Sequence, residues 1–143
     1  VEQFVEGKEL TVGIVGEEVF PIVHIVPREG FYDMSNKYPW MSEEGGTDYY
    51  CPADLDAKTT KIVQNAAMAT HRALGIEVYS RVDILLDSLS NPYILEANTI
   101  PGMTASSLLP KGAAAAEPGY GFGALCRRIG ELSLSLRRTD APS

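Results

Sequence analysis

The sequence predicts an α+β domain: an antiparallel sheet with helices packed against it. Three observations predict this class: a hairpin pattern from Glu9 to Val26, a second from Ser80 to Asn98, and a long amphipathic helical stretch between them. Strand and helix patterns alternate without the βαβ rhythm of a parallel sheet, so the strands are expected to pair antiparallel. At 143 residues and 45% hydrophobic composition the chain matches one ordinary domain with enough apolar matter for a core.

In chain order, "ELTVGIVGEEVFPIVHIV" places two β-branched runs either side of "GEE", which predicts strands near 9–15 and 19–26. The stretch from Pro27 to Ala53 is aromatic, rich in Gly and Pro, and without a sustained period; a loop of that length reads as a lid. A helix then runs from an N-cap at Asp54 or Asp56 to Gly75 as the residue after the C-cap, with Ile62, Ala66, Ala69 and Ala73 as its inward face. "SRVDILLD" and "YILEAN" flank the turn residues "SLSNP" and form the second hairpin. The loop "NTIPGMTASSL" leads into a short helix. The last helix is expected to present Phe122, Leu125, Cys126, Ile129 and Leu132 on one face, and the tail 139–143 to fray.

Charge and composition narrow the function. Twelve Lys and Arg against nineteen Asp and Glu give a net charge of -7, and no basic run is present to neutralise a phosphate backbone, so nucleic acid is not expected as a partner. Acidic groups suit divalent cations instead. Cys51 and Cys126 lack the spacing of a zinc site and read as reduced thiols, which points to the cytoplasm. No apolar run approaches the ~20 residues of a membrane span, and no signal-peptide pattern opens the sequence, so a membrane is not expected either. The chain has no initiator Met and reads as part of something longer. His24 and His71 read as structural.

Chemistry concentrates in the second hairpin. With a period of two, Arg81, Asp83 and Leu85 share one face of the first strand, and Ile94, Glu96 and Asn98 one face of the second; Val82, Ile84, Leu86, Leu95 and Ala97 take the other. A turn centred between residues 89 and 90 sets Asp83 opposite Glu96. Opposed carboxylates repel unless a cation lies between them, and Asn98 adds a neutral oxygen, a donor set suited to Mg²⁺ or Mn²⁺. An ion-pair network of Arg81, Asp83 and Glu96 on a solvated face fits the same pattern. The hydroxyls of Thr104, Ser106 and Ser107 beside Gly102 offer an anion site at a helix start, or a plain turn.

"VEQFVEGKELTVGIVG", "FYDMSNKY", "RVDILL" and "YILEANTIPGMTASSL", in this order and at these intervals, resemble the C-terminal half of the D-alanine-D-alanine ligase family of ATP-grasp enzymes. The resemblance implies the larger ATP-grasp lobe over residues 1–138, with the N-terminal domain and the first ATP-grasp subdomain lying outside this sequence. It implies ATP-dependent joining of two D-alanine molecules through a D-alanyl phosphate, for peptidoglycan precursor synthesis, with the remaining N-terminal part of the enzyme as a partner and a homodimer for the intact enzyme. By resemblance, Asp83, Glu96 and Asn98 hold two Mg²⁺ or Mn²⁺ ions, and Arg81 with the Gly102 N–H stabilises the oxyanion. Ser107 and Leu108 hold the second D-alanine. Glu2, Phe4, Val5 and Glu9 cradle adenosine, Lys37 approaches ATP phosphate, and Tyr38 closes over the second substrate and favours an amine nucleophile. Another ATP-grasp carboxylate-amine ligase, or a non-catalytic nucleotide-binding module, is the alternative.

Overall fold

The structure, a computed structural model, describes residues 3–28 and 46–139, with side chains described through residue 136. Strand β1 (Lys8–Val15) turns at Gly16 into the two-residue β2 (Glu18–Val19), and β3 (Val23–Pro27) continues alongside β1. The expected second strand of this hairpin is thus split. Residue numbers in the β1–β2 pairs sum to 33 (Ile14 with Val19) and in the β1–β3 pairs to 34 (Leu10 with His24), so one extra residue is accommodated around Pro21, which has no N–H for the ladder. The side-chain amide of Gln64 donates to the Phe20 carbonyl at 3.3 Å within this interruption.

Strand β4 (Thr47–Tyr50) pairs antiparallel with β3. The expectation of unbroken loop from Pro27 to Ala53 is corrected here: "TDYY" alternates too briefly to show a period, yet its backbone completes a sheet edge. Arg28 clamps Asp48 across this pair through Nε at 2.9 Å and Nη2 at 2.7 Å. Residues 29–45, the body of the expected lid, lie outside the described residues.

Helix α1 (Ala57–Ala73) follows. Of the two expected N-caps, Asp56 serves: its Oδ1 accepts from the Thr59 N–H at 2.9 Å and its Oδ2 from the Thr59 hydroxyl at 2.6 Å. At the other end Gly75 takes a positive φ of 64° while the Ile76 N–H reaches the His71 carbonyl and the Gly75 N–H that of Arg72, a Schellman closure. The inward face is not the expected one. Thr59, Val63, Ala67, Met68 and His71 are buried, whereas Ile62 and Ala66 are half-buried and Ala69 and Ala73 exposed. In an alanine-rich helix several faces look equally apolar, and the docked one includes polar groups that find partners, such as His71 Nδ1 with the Ser80 hydroxyl at 2.8 Å.

The hydrogen bonds from Thr59 hold the Asp56 carboxyl below its ordinary pKa of 3.8, and those from Asn91 and Leu89 do the same for Asp87 at the next turn. A depressed folded-state pKa gives stability that is present above about 3.8 and lost as pH falls through the folded value. Asp56→Ala is therefore expected to melt lower than the parent at pH 7. The gap should shrink on titration to pH 2–3, which thermal melts followed by circular dichroism would check.

Strands β5 (Tyr79–Leu86) and β6 (Pro92–Asn98) form the second hairpin, closed by Asp87, whose carboxylate accepts from the Leu89 and Asn91 N–H groups at 2.9 and 2.8 Å. The antiparallel order is β4-β3-β1-β5-β6, with β2 on β1. On one face, Leu10, Val12 and Ile14 of β1 and Val82, Ile84 and Leu86 of β5 pack with Val63, Ala67 and Met68 of α1. On the other, Val15 and Phe20 pack with Leu109 and Ala113 of α2 (Leu108–Ala114) and Leu125 of α3 (Phe122–Thr139). The expected face of α3 is only partly engaged: Leu125 is buried, Ile129 and Leu132 half-buried, Phe122 and Cys126 exposed.

Candidate functional site

The hairpin register sets Asp83 opposite Glu96 and Arg81 opposite Asn98, as the two-residue period and the turn position predict. Beyond that the register shifts: Ile84 faces Ile94, leaving Leu95 as an extra residue. A bulge reverses side-chain parity, so Ile94 joins the Ile84 side rather than the Glu96 side, and Leu95 leaves the core pattern at 51% exposed. The parity expected for Ile94 and Leu95 is thereby corrected; that of Arg81, Asp83, Glu96 and Asn98 lies on the near side of the bulge.

Extending the register to β1 yields two cross-strand rows: Thr11–Asp83–Glu96, and Gly13–Arg81–Asn98. Opposed residues of adjacent strands share a face, and so do alternate residues of one strand, so Glu9, Thr11 and Gly13 lie on the side of Arg81, Asp83, Glu96 and Asn98. α1 covers the opposite side. α2 covers this one at Gly13, where a Cβ would come within 2.4 Å of Leu109 Cδ1. The absence of a side chain at Gly13 lets the helix settle close to β1 beside the second row.

Arg81 and Asp83 are joined as a fork: Nε to Oδ1 at 3.0 Å and Nη2 to Oδ2 at 2.9 Å, with the side chains 21% and 15% exposed. Thr11, buried in β1, donates its hydroxyl to Oδ1 at 2.6 Å. The charge of Asp83 is therefore already offset on one side by Arg81. Glu96 differs: it is exposed, joins no ion pair among the described residues, and accepts from Asn98 Nδ2 at 3.0 Å. Among the described residues the three-membered ion-pair network does not form: Arg81 commits its fork to Asp83. Since Asn98 uses its amino group on Glu96, its carbonyl oxygen is left as an acceptor.

Among the described residues no group of three or more His, Cys, Asp and Glu side chains gathers. The candidate cation set is two carboxylates and an amide oxygen, all hard donors fitting Mg²⁺ or Mn²⁺ better than a soft metal. In the adjoining loop, Ser107 Oγ accepts from the Thr104 N–H at 3.0 Å and meets the Thr104 hydroxyl at 2.8 Å, so it does not cap α2. Among the described residues no side chain caps the first N–H groups of the helix, beginning at Leu108, and Gly102 is exposed beside Ser107.

Of the residues expected to cradle adenosine, Phe4, Val5 and Glu9 are among the described ones. Val5 and Glu9 are half-buried, with Glu9 on the site face, while Phe4 stands 88% exposed at the chain's start. Glu2, Lys37 and Tyr38 lie outside the described residues. A cleft of about 710 Å³ opens elsewhere, between the α1 N-terminus and the β5–β6 turn, lined by Glu6, Lys8, Asp54, Asp56, Asp87 and their neighbours. Asp56 and Asp87 are committed there to capping the helix and closing the turn. Sequence reasoning missed Thr11, whose signal was its parity with Glu9 inside an otherwise apolar run.

An antiparallel sheet with helices on both sides and opposed carboxylates on the second hairpin defines the class: the C-terminal lobe of the ATP-grasp fold. The structure of the D-alanine-D-alanine ligase from Bacillus anthracis superposes with a TM-score of 0.80 at 34% identity, covering 98% of this chain and 43% of that one. The same enzyme complexed with ATP gives 0.79, also at 34% identity, covering 98% of this chain and 44% of that one. The family model described as "D-ala D-ala ligase C-terminus" matches residues 1–130, and the chain belongs to that family. The D-alanine-D-alanine ligase of Methylacidiphilum infernorum (isolate V4) is 46% identical over 132 residues, 92% of this chain and 42% of that protein. The chain thus spans less than half the length of these relatives. No helix among the described residues is long and apolar enough to cross a membrane.

Proposed function

We propose that this chain supplies the ATP- and metal-binding lobe of a cytoplasmic D-alanine-D-alanine ligase. The observation that carries the reading is the pair of rows on one sheet face, Asp83 opposite Glu96 and Arg81 opposite Asn98, beside an uncapped helix start. In this reading Asp83, Glu96 and Asn98 would hold two Mg²⁺ or Mn²⁺ ions, which would supply positive charge to offset that of the transferring phosphoryl group. Glu9 receives the ribose hydroxyls, with Glu2, Phe4 and Val5 around adenine. A carboxylate oxygen of the first D-alanine attacks the γ-phosphorus as the bond to ADP breaks, giving D-alanyl phosphate. The amine of the second D-alanine then attacks the carbonyl carbon, and phosphate leaves as the amide forms and the nitrogen loses a proton.

Arg81 retains three N–H donors outside its fork with Asp83. Together with the Gly102 N–H they serve the oxyanion that develops at the attacked carbonyl. The Ser107 hydroxyl and the Leu108 N–H hold the carboxylate of the second D-alanine, where the start of α2 favours negative charge. Lys37 and Tyr38 are assigned to closure over ATP and the second substrate, which excludes water from a hydrolysable acyl phosphate.

The test is D-alanine-dependent phosphate release and dipeptide formation by the full-length enzyme. Arg81→Ala is expected to lower kcat by about 10²–10³-fold, as loss of an oxyanion donor does. The 143-residue chain alone is expected to form no dipeptide. Turnover unaffected by Arg81→Ala, or phosphate release indifferent to D-alanine, would contradict the assignment.

A further inference from the structure

Thr11 has no part in the ligand set above, yet it is 1% exposed at the centre of the sheet with its hydroxyl 2.6 Å from Asp83 Oδ1. A threonine hydroxyl has one proton to give. The Val82 carbonyl is the other acceptor in reach, but at 3.4 Å it is farther, and a carboxylate oxygen is the stronger acceptor. The proton therefore goes to Oδ1. Arg81 Nε donates to that same oxygen at 3.0 Å, and Arg81 Nη2 to Oδ2 at 2.9 Å. Each carboxylate oxygen offers two acceptor positions. Oδ1 is filled by Thr11 and Arg81; Oδ2 keeps one position open.

We propose that Thr11 is a positioning residue for the cation site: with Arg81 it fixes the Asp83 carboxylate so that the open position of Oδ2 is all that Asp83 offers a divalent cation. This rests on the reading of Asp83, Glu96 and Asn98 as cation ligands. Arg81 holds the carboxylate along one edge by two parallel bonds. A second donor from the neighbouring strand, in the same cross-strand row, supplies a fixed point from the middle of the sheet. Hydrogen-bond partners behind a metal ligand commonly govern ~10–100-fold in metal affinity.

The experiment is titration of the 143-residue chain with Mn²⁺ alone, following the loss of the free-ion electron paramagnetic resonance signal, on the parent and on Asp83→Asn, Thr11→Val, Thr11→Ala and Thr11→Ser. Metal-free melts identify which variants are folded; Thr11→Val keeps the shape and β-branching of the side chain, and Thr11→Ala is the second hydroxyl-free variant. The expected result is loss of the site in Asp83→Asn, a ~10–100-fold weaker Kd in the hydroxyl-free variants, and recovery to near the parent value in Thr11→Ser. A merely structural hydroxyl would change the melt without changing the Mn²⁺ affinity of the folded protein. Loss in Asp83→Asn with parent-like affinity in Thr11→Val and Thr11→Ala overturns the positioning role and leaves the site standing. Equal uptake by the parent and Asp83→Asn, or none by either, overturns the site itself and the positioning role with it.

Discussion

Asp83→Asn is expected to destabilise the metal-free chain by about 2 kcal/mol, the scale of hydrogen bonds to a charged group, while Glu96→Gln leaves it within about 0.5 kcal/mol of the parent. The difference follows from their surroundings. Asp83 receives three donors, two from Arg81 and one from Thr11, and its pair with Arg81 is largely shielded from solvent. An asparagine presents one acceptor oxygen and one NH₂ to that same set, so a donor meets a donor and Arg81 loses its counter-charge. Glu96 is exposed and accepts one bond from Asn98, which glutamine can still accept. Both substitutions are nonetheless expected to abolish the stabilisation that Mg²⁺ and ATP confer on the parent. Calorimetric melts with and without Mg²⁺ and ATP separate the two effects. A large metal-free loss in Glu96→Gln would mean that Glu96 is a structural member of the sheet face.

The second large effect is expected at Gly13. A Cβ there would lie 2.4 Å from Leu109 Cδ1 and 3.2 Å from Phe20 Cδ2, inside contact distance of two buried side chains. Gly13→Ala should cost roughly 1–3 kcal/mol through overpacking, and it should do so by lifting α2 from β1. Because α2 begins at Leu108, that displacement moves the proposed second-substrate subsite relative to Arg81. Leu109→Ala removes the clashing methyl groups, so the double variant Gly13→Ala/Leu109→Ala should be more stable than the sum of the two single losses allows. Denaturant melts of all four proteins measure this coupling. Strict additivity would show that Gly13 does not set the seat of α2.

The sequence made legible what local periodicity controls. Turn residues around Asn91 and a two-residue period were enough to oppose Asp83 and Glu96, and Asp56 and Gly75 bounded α1 because caps are chemically specific. What it hid depends on neighbours distant along the chain. The Leu95 bulge leaves no mark in an apolar run, since either parity reads as buried. The docked face of α1 includes Thr59 and His71, which a hydropathy argument turns outward, but Asp56 and Ser80 supply their partners. β4 is four residues long and is recognisable only once β3 lies beside it. In the candidate site, the opposition of Asp83 and Glu96 was readable, whereas the commitment of Arg81 and Thr11 to Asp83 required the β1–β5 register.

With Asp83, Glu96 and Asn98 as the proposed cation ligands, ATP and its cations would lie on the sheet face opposite α1, and Mn²⁺·ATP as a paramagnetic probe reads that position directly. In amide NMR spectra of the isotope-labelled chain, trace Mn²⁺·ATP is expected to broaden Glu9, Thr11, Asp83, Glu96, Asn98 and the start of α2, and to spare α1. It should leave the cleft around Asp54, Asp56 and Asp87 sharp. Broadening centred on that cleft, with Asp83 and Glu96 unaffected, would contradict the proposed site.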